Sequence, residues 1–577
     1  MLGPPALRMS APRSLLLALA FAGLTLAIHT YWIRQDYGIP LGDEPGHLTN
    51  IIRYRKWLMG GLPPAEPHPP AMYVASAVGS LFLEGDRLQI LRFGPAFYGA
   101  LLVGGLSWLG ARSYGVIGAL YLGSLALAAP QLLGFSRMFL LDLPMTALVV
   151  WIWISVWESQ HLSRPLPTLL LGVFLAWGLL AKYTILLWIL PLLLWAGAGM
   201  VIRRPSALLP LLIPLLPVYH VGESLLRAGK NVRAIGPLAP IAEPLFWELG
   251  VAALLLLGVA AVSAYKGWVG LQRGAVLGLA MLLCVALVLP WGLLSANAVY
   301  AKLLREAVNE VRTSAAVTVQ TQTWLFLRSS WPSTWYMLWL GLIAEGLGLL
   351  VWLAGWKWAS LRDQTERSWP SLPMWGVVLG WVGYRLTFRT LPFDTRYVIP
   401  LVPCAILVMS GVLRLRWTRR VVAPVIVGIC ALQVVAGLGW LGEDLVVRQR
   451  PFAEVIPEKV GPTTLVGPPA PYAESPFPEI HGLIKTLAPL VPPLNPPQGC
   501  QSIALQSLGV EEGRTRSIDG QGVEFLLSLE GLDECVWQTP VVNPKLVVVV
   551  DKSKGPGEVV VEEKVRGLIL GIYRQAP

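Results

Sequence analysis

Runs of apolar residues long enough to cross the roughly 30 Å of hydrocarbon in a bilayer recur along this chain from about residue 14 to residue 441. In lipid only a helix or a closed barrel satisfies its own backbone polar groups. Runs of this length are helical, so the chain is committed to an all-α polytopic bundle. Thirteen candidate spans lie near 14–33, 90–110, 115–132, 139–157, 166–181, 183–200, 205–220, 247–264, 273–296, 335–356, 372–388, 397–413 and 421–441. Composition agrees: 55% of the 577 residues are hydrophobic and 14% charged, against about 45–50% and 25% in ordinary soluble domains.

Counting spans from a cytoplasmic N-terminus sorts the loops. The short connections at Arg112, Arg164, Arg203-Arg204, Lys266 with Arg273, Lys357 with Arg362 and Arg367, and Arg414 to Arg420 fall inside. This is the excess of basic residues that marks cytoplasmic loops. The net charge of +11 thus belongs to the membrane, and nucleic acid is not an expected partner. Arg8 and Arg13 ahead of Ala18-Leu19-Ala20 also fit a cleavable signal peptide, and either reading exports Asp43.

The same count places 34–89, 133–138, Lys182, 221–246, 297–334, 389–396 and the chain after 442 outside. Within the first outer loop, Leu48, Ile51, Ile52 and Tyr54 to Leu58 with Arg53, Arg55 and Lys56 predict a helix lying at the headgroups. Ala71 to Leu83 reads as a re-entrant or surface-lying helix, since a full span there would invert every later assignment. Residues 1–441 therefore form the transmembrane domain. Pro-rich turns at 462–497, followed by the strand-like runs Leu546 to Val550, Val559 to Val561 and Leu568 to Tyr573, predict a small α/β or β-rich extracytoplasmic domain over 442–577. Its Cys500 and Cys535 are candidates for a disulfide in an exported compartment.

Charged residues near membrane depth are costly and usually functional, and on this count they gather on one face: Asp43, Glu44, Glu66, His68, Arg137, Asp142, Lys182, Arg389, Asp394 and Arg396. A carboxylate there can take a proton from a hydroxyl nucleophile. Cations beside it can hold a departing phosphate. The set suits displacement of a lipid phosphate from a sugar. The bland alternatives are helix capping by Asp43-Glu44, an ion pair between Arg137 and Asp142 across a turn, and a snorkelling Lys182.

Gly42-Asp43-Glu44-Pro45 after the first span, His68-Pro69-Pro70 later in that loop, Ser136-Arg137 with Asp142-Leu143-Pro144, Leu179 to Tyr183, and Asp394-Thr395-Arg396-Tyr397 together resemble the protein O-mannosyltransferase and aminoarabinose transferase group. These are integral-membrane glycosyltransferases of the C-type (GT-C) fold, glycosyltransferase family 39-like. The resemblance covers roughly residues 14–441. It implies a polyprenyl-phosphate sugar donor, a lipid, glycan or protein acceptor approaching from outside, and inversion at the anomeric carbon. It further implies Asp43 as general base, Glu44 orienting the acceptor or taking that role itself, and Asp142 as the second acid. Arg137, Lys182 and Arg396 would grip the donor phosphate, and Glu66 and His68 are candidate ligands for a divalent cation. A multi-pass protein of the bacterial inner membrane with a periplasmic active site is the expected setting. The competing class is a transporter or flippase of a lipid-linked sugar. That class calls for midplane charges and paired repeats, neither of which the sequence shows.

Overall fold

The computed structural model describes residues 9–36, 44–61, 63–64, 66–82, 87–230, 239–310, 377–380, 382, 399–414, 416–438 and five strands between 503 and 574. The helices are α1 (Ala11–Gln35), α2 (Glu44–Leu58), α3 (Ala71–Phe82), α4 (Arg87–Leu91), α5 (Phe93–Ala128), α6 (Pro130–Phe135), α7 (Asp142–Ser159), α8 (Pro165–Ala181), α9 (Ile185–Arg203), α10 (Leu208–Lys230), α11 (Ala239–Tyr265), α12 (Val269–Glu310), α13 (Leu401–Met409) and α14 (Arg416–Gly437). Six helical stretches among the described residues are long and apolar enough to cross a membrane, with shorter apolar helices at Ala71–Leu81, Pro165–Ala181 and Leu401–Leu413. The spans expected at 335–356 and at most of 372–388 lie outside the described residues.

The 36 residues of α5 would reach roughly 54 Å if straight, nearly twice the hydrocarbon thickness. They do not run straight. Gly115 takes φ 72°, ψ −156°, a conformation open mainly to glycine, and the chain folds back on itself. The backbones of Gly110 and Gly118 then meet so closely that a Cβ on either would run into the other. The element is a helical hairpin, which accounts for the two spans read at 90–110 and 115–132.

One continuous core holds the bundle. Its members include Tyr98, Leu102, Leu106, Tyr121, Leu125, Val149, Trp153, Ile185 and Trp188, and it extends to Ile406 and Leu407 of α13. Leu48, Ile51 and Tyr54 of α2, with Met72 and Tyr73 of α3, belong to the same core, so the first outer loop packs down onto the spans. Indole hydrogen bonds tie the hairpin to its neighbours: Trp151 Nε1 donates to the Leu101 carbonyl at 3.0 Å, and Trp177 Nε1 to the Tyr98 hydroxyl at 2.9 Å. Many exposed side chains are apolar, among them Leu16, Leu194, Leu254 and Leu432, as lipid-facing surfaces require.

The two ends of this bundle can be told apart by their charges. At one end the α5 turn meets the start of α1 and the end of α7: Arg112 binds the Met9 carbonyl at 2.6 Å and both oxygens of Glu158 at 2.7 and 3.1 Å. At the other end α2 meets the chain between α6 and α7. The described residues between 44 and 92, the 136–142 turn and Lys182 share that second end, as the span count requires.

Towards the C-terminus five strands form a mixed sheet in the order β2-β1-β3-β5-β4, with β1 Ile503–Ser507, β2 Val536–Trp537, β3 Leu546–Asp551, β4 Glu558–Val565 and β5 Leu568–Arg574. β1 is parallel to β2 and β3, whereas β5 runs antiparallel to β3 and β4. Cys500 and Cys535 lie outside the described residues.

Candidate functional site

Glu44 opens α2 and is buried, 2% exposed. A carboxylate in that position needs partners, and it has three. Arg92 Nε donates to Oε1 at 2.9 Å, Arg92 Nη2 donates to Oε2 at 3.0 Å, and the Phe139 backbone N–H donates to Oε1 at 3.1 Å. The same guanidinium reaches Asp36 Oδ2 through Nη1 at 2.7 Å, and Asp36 and Arg92 are as buried as Glu44. One cation between two anions, all out of water, forms a clamp that joins the end of α1, the start of α2 and the entry to α5. The Phe139 bond then fastens this clamp to the turn 95 residues further on.

That turn carries the second group. Arg137 is fully buried, its guanidinium carbon 4.3 Å from the centre of the Trp32 ring. Burial brings its pKa down to about 9, with the negative charge of Asp36 opposing the fall. Asp142 stands in the first turn of α7, where the helix dipole favours a negative charge. Its Oδ1 accepts a 2.6 Å hydrogen bond from Lys182 Nζ. Lys182 caps α8 in extended backbone conformation; its side chain is 19% exposed against 3% for Asp142. The lysine is the open edge of the pair.

Trp32 stands in the last turn of α1 and Asp36 is its C-cap in extended conformation, so one helix end serves both Arg137 and Arg92. Above the clamp, His47 of α2 exchanges a 2.8 Å hydrogen bond between Nδ1 and the Tyr73 hydroxyl. Tyr73 is stacked between Tyr54 at 5.5 Å and Phe139 at 5.9 Å. This aromatic ladder packs α2 and α3 against the 136–142 turn.

Each expected site residue can now be placed. Glu44, Arg137, Asp142 and Lys182 come together at one end of the bundle. Asp43 and Arg396, with Arg389 and Asp394, lie outside the described residues. Glu66 and His68 are in the same loop: Glu66 Oε1 is 2.7 Å from Arg53 Nη1, and the His68 ring lies edge-on to His47 at 5.2 Å. Among the described residues no group of three or more His, Cys, Asp or Glu is placed to hold a metal ion, and a guanidinium already faces Glu66. No chemical step below passes through a metal ion.

Asp36, Arg92, His47 and Tyr73 went unread in the sequence. For Asp36 and Arg92 a signal was present, since both are charges at the edges of apolar spans.

No family model matches the chain, and no curated protein matches it in sequence. Among solved structures, ArnT from Cupriavidus metallidurans in the apo state aligns with 97% of this chain and 98% of its own, at 14% identity and a TM-score of 0.47. The same protein bound to undecaprenyl phosphate aligns over the same shares at 14% identity, with a TM-score of 0.41. The archaeal oligosaccharyltransferase AglB from Archaeoglobus fulgidus, in complex with an inhibitory peptide and a dolichol-phosphate, aligns with 85% of this chain and 62% of its own, at 11% identity and a TM-score of 0.38.

Proposed function

We propose that this chain is an integral-membrane inverting glycosyltransferase of the C-type fold, moving a sugar from a polyprenyl-phosphate donor to an acceptor on the extracytoplasmic face. The observation that carries this reading is the meeting, at one end of the bundle, of residues distant in sequence: Glu44 bound to the turn that holds Arg137, and Asp142 bound to Lys182. Acids and cations at one membrane boundary match a reaction whose nucleophile must lose a proton and whose leaving group is a lipid phosphate.

In this mechanism an acceptor hydroxyl attacks the anomeric carbon from the face opposite the phosphate. Its proton passes to Asp43, and the bond from carbon to phosphate oxygen breaks with its electron pair leaving on the polyprenyl phosphate. Glu44 has both carboxylate oxygens engaged. Its role is accordingly to fix the backbone from which the neighbouring Asp43 acts, rather than to take the proton itself. Lys182 is the cation a phosphate meets first. Arg137, buried in a medium of low dielectric, adds a charge that acts with little screening. Asp142 keeps the Lys182 ammonium aimed.

The test is in vitro transfer from a panel of polyprenyl-phosphate sugars, following both the glycosylated acceptor and the released polyprenyl phosphate. Turnover of at least one donor is expected. Movement of intact donor across the bilayer with no release of phosphate would overturn the proposal.

Arg137 supplies a pH signature. Its guanidinium is charged below about pH 9 and neutral above, so its hold on the phosphate is present below that pH and lost above. We expect kcat/KM for the donor to fall on an alkaline limb near pH 9, because that ratio reports the free enzyme. In kcat the limb should move upward, since bound phosphate favours the charged form. Arg137→Gln should lower kcat/KM throughout and remove the limb; an unchanged limb in this variant would reassign it to another group.

A further inference from the structure

Two arginines are buried at the Glu44 end of the bundle, and the chain holds them in different ways. Arg92 engages Nε, Nη1 and Nη2 with the carboxylates of Glu44 and Asp36. Arg137, fully buried, lies over an indole, its guanidinium carbon 4.3 Å from the centre of the Trp32 ring. A ring face attracts a cation through its quadrupole and takes up none of the five N–H donors of a guanidinium. This contact fixes the charge and leaves the hydrogen-bonding edge to other partners.

Trp32 is not placed as a membrane-belt tryptophan is. Trp57, Trp247 and Trp268 are 37%, 70% and 52% exposed, as indoles at the headgroups are, whereas Trp32 is 1% exposed. Nor does it sit in the main core: it packs with Ile33, Ala96 and Leu438 in a small cluster of its own. The seat is built from the turn's side as well. Gly99 of α5 lets the turn come close, since a Cβ there would run into the Ser136 hydroxyl and touch the His29 ring. Ser136 Oγ donates to the Leu132 carbonyl at 2.6 Å, and the Arg137 N–H to the Gly134 carbonyl at 3.1 Å. These bonds set the backbone that presents the guanidinium to the ring.

We propose that Trp32 is a positioning residue for the donor phosphate, its ring face holding the Arg137 guanidinium where it meets the phosphate oxygens. This rests on the donor-phosphate role given to Arg137 above. A carboxylate in place of the ring would fix the cation equally well, but it would occupy donors and offset the charge, as Glu44 and Asp36 do at Arg92. The indole does neither, and it is the strongest aromatic partner for a cation. The titratable groups set about this seat are His29 and Asp36 on α1, Arg92 bound to Asp36, and the Asp142–Lys182 pair after the turn. Loss of the ring removes a contact that favours the charged form, so the Arg137 pKa, brought by burial to about 9, should fall further.

The test is binding of a tritiated polyprenyl phosphate to the full chain in detergent, measured from neutral to alkaline pH. The wild type is expected to bind with an alkaline limb at about pH 9. Trp32→Leu should weaken binding about 3–10-fold at neutral pH and move the limb down by about one pH unit, the loss expected of a desolvated cation–π contact. Trp32→Phe keeps a ring with a weaker quadrupole and should fall between the two. Trp153→Leu removes an equally buried indole from the main core; it should lower stability and leave the limb in place. A limb unmoved in Trp32→Leu, or moved as far in Trp153→Leu, overturns the positioning role. No binding of polyprenyl phosphate by the wild type at any pH overturns the donor reading itself, and this role with it. Should Trp32→Leu fail to fold, tryptophans carrying successively more ring fluorines at position 32 keep the shape and withdraw charge from the ring face. Stepwise weakening of binding along that series supports the contact, and a flat series overturns it.

Discussion

Arg92→Ala is expected to destabilise the protein by about 3–5 kcal/mol, the usual cost of breaking a buried ion pair from one side. The magnitude comes from what is left behind. Glu44 and Asp36 would remain 2% exposed with the bonds at 2.7, 2.9 and 3.0 Å gone and without the cation that joins them. Truncation also empties the volume of a fully buried side chain, which adds a cavity term. The measurement is unfolding of the purified protein in detergent micelles, with monodispersity as a second readout. Combining Asp36→Asn, Glu44→Gln and Arg92→Met should recover part of the loss, because a neutral, volume-matched set carries no unpaired charge. A single Ala variant as stable as the wild type would mean that water reaches the cluster and that the clamp is not what holds the first loop.

Asp43→Asn should lower the rate of sugar transfer by about 10²–10⁴-fold, the range that general-base catalysis supplies. Asparagine keeps the shape of the side chain and cannot accept the proton, so the donor KM should change little while kcat falls. Asp142→Asn should behave differently. It frees Lys182 from a 2.6 Å bond, so the larger share of its effect should appear in donor KM. Glu44→Gln is the informative control. It retains an oxygen for the Phe139 N–H and loses part of the grip on Arg92, so it should reduce stability more than it alters chemistry. Transfer unchanged in both Asp43→Asn and Asp142→Asn would end the catalytic assignment, even with the membrane architecture intact.

How much of this was legible before the structure follows from where each signal resides. Apolar length marked the spans, and the parity of those spans put Glu44, Arg137, Asp142 and Lys182 at one end, where the bonds from Glu44 to Phe139 and from Lys182 to Asp142 now hold them. Counting was sensitive to a single residue. Had the turn at Gly115 been read as continuous helix, every later loop would have changed sides. Lys182 offered two readings, anchor or site residue, and only a distance could connect it to an acid 40 positions away.

The two charges of the clamp were visible at span edges, but their pairing was not, for a similar reason. Arg92 fell inside the span read at 90–110 and Asp36 in the loop just past the span read at 14–33, and their sequence separation of 56 carries no periodic signal. His47 and Tyr73 were hidden in helices whose apolar pattern explained itself without them. Glu66 and His68 show the opposite case. Residue types suited to a metal stood close in sequence, but Glu66 turns to Arg53.

The bond between Glu44 and the Phe139 N–H also sets an order of events during biosynthesis. The acceptor of that bond leaves the ribosome 95 residues before its donor, and both arms of the α5 hairpin must enter the bilayer in between. Until they do, α2 and α3 have no turn to pack against, and the Arg92 clamp lacks the bond that fastens it to residues 136–142. Assembly of the proposed site is therefore a late reward of correct insertion. A chain whose hairpin inserts in the wrong orientation delivers residues 136–142 to the opposite compartment and never gathers a working set of charges.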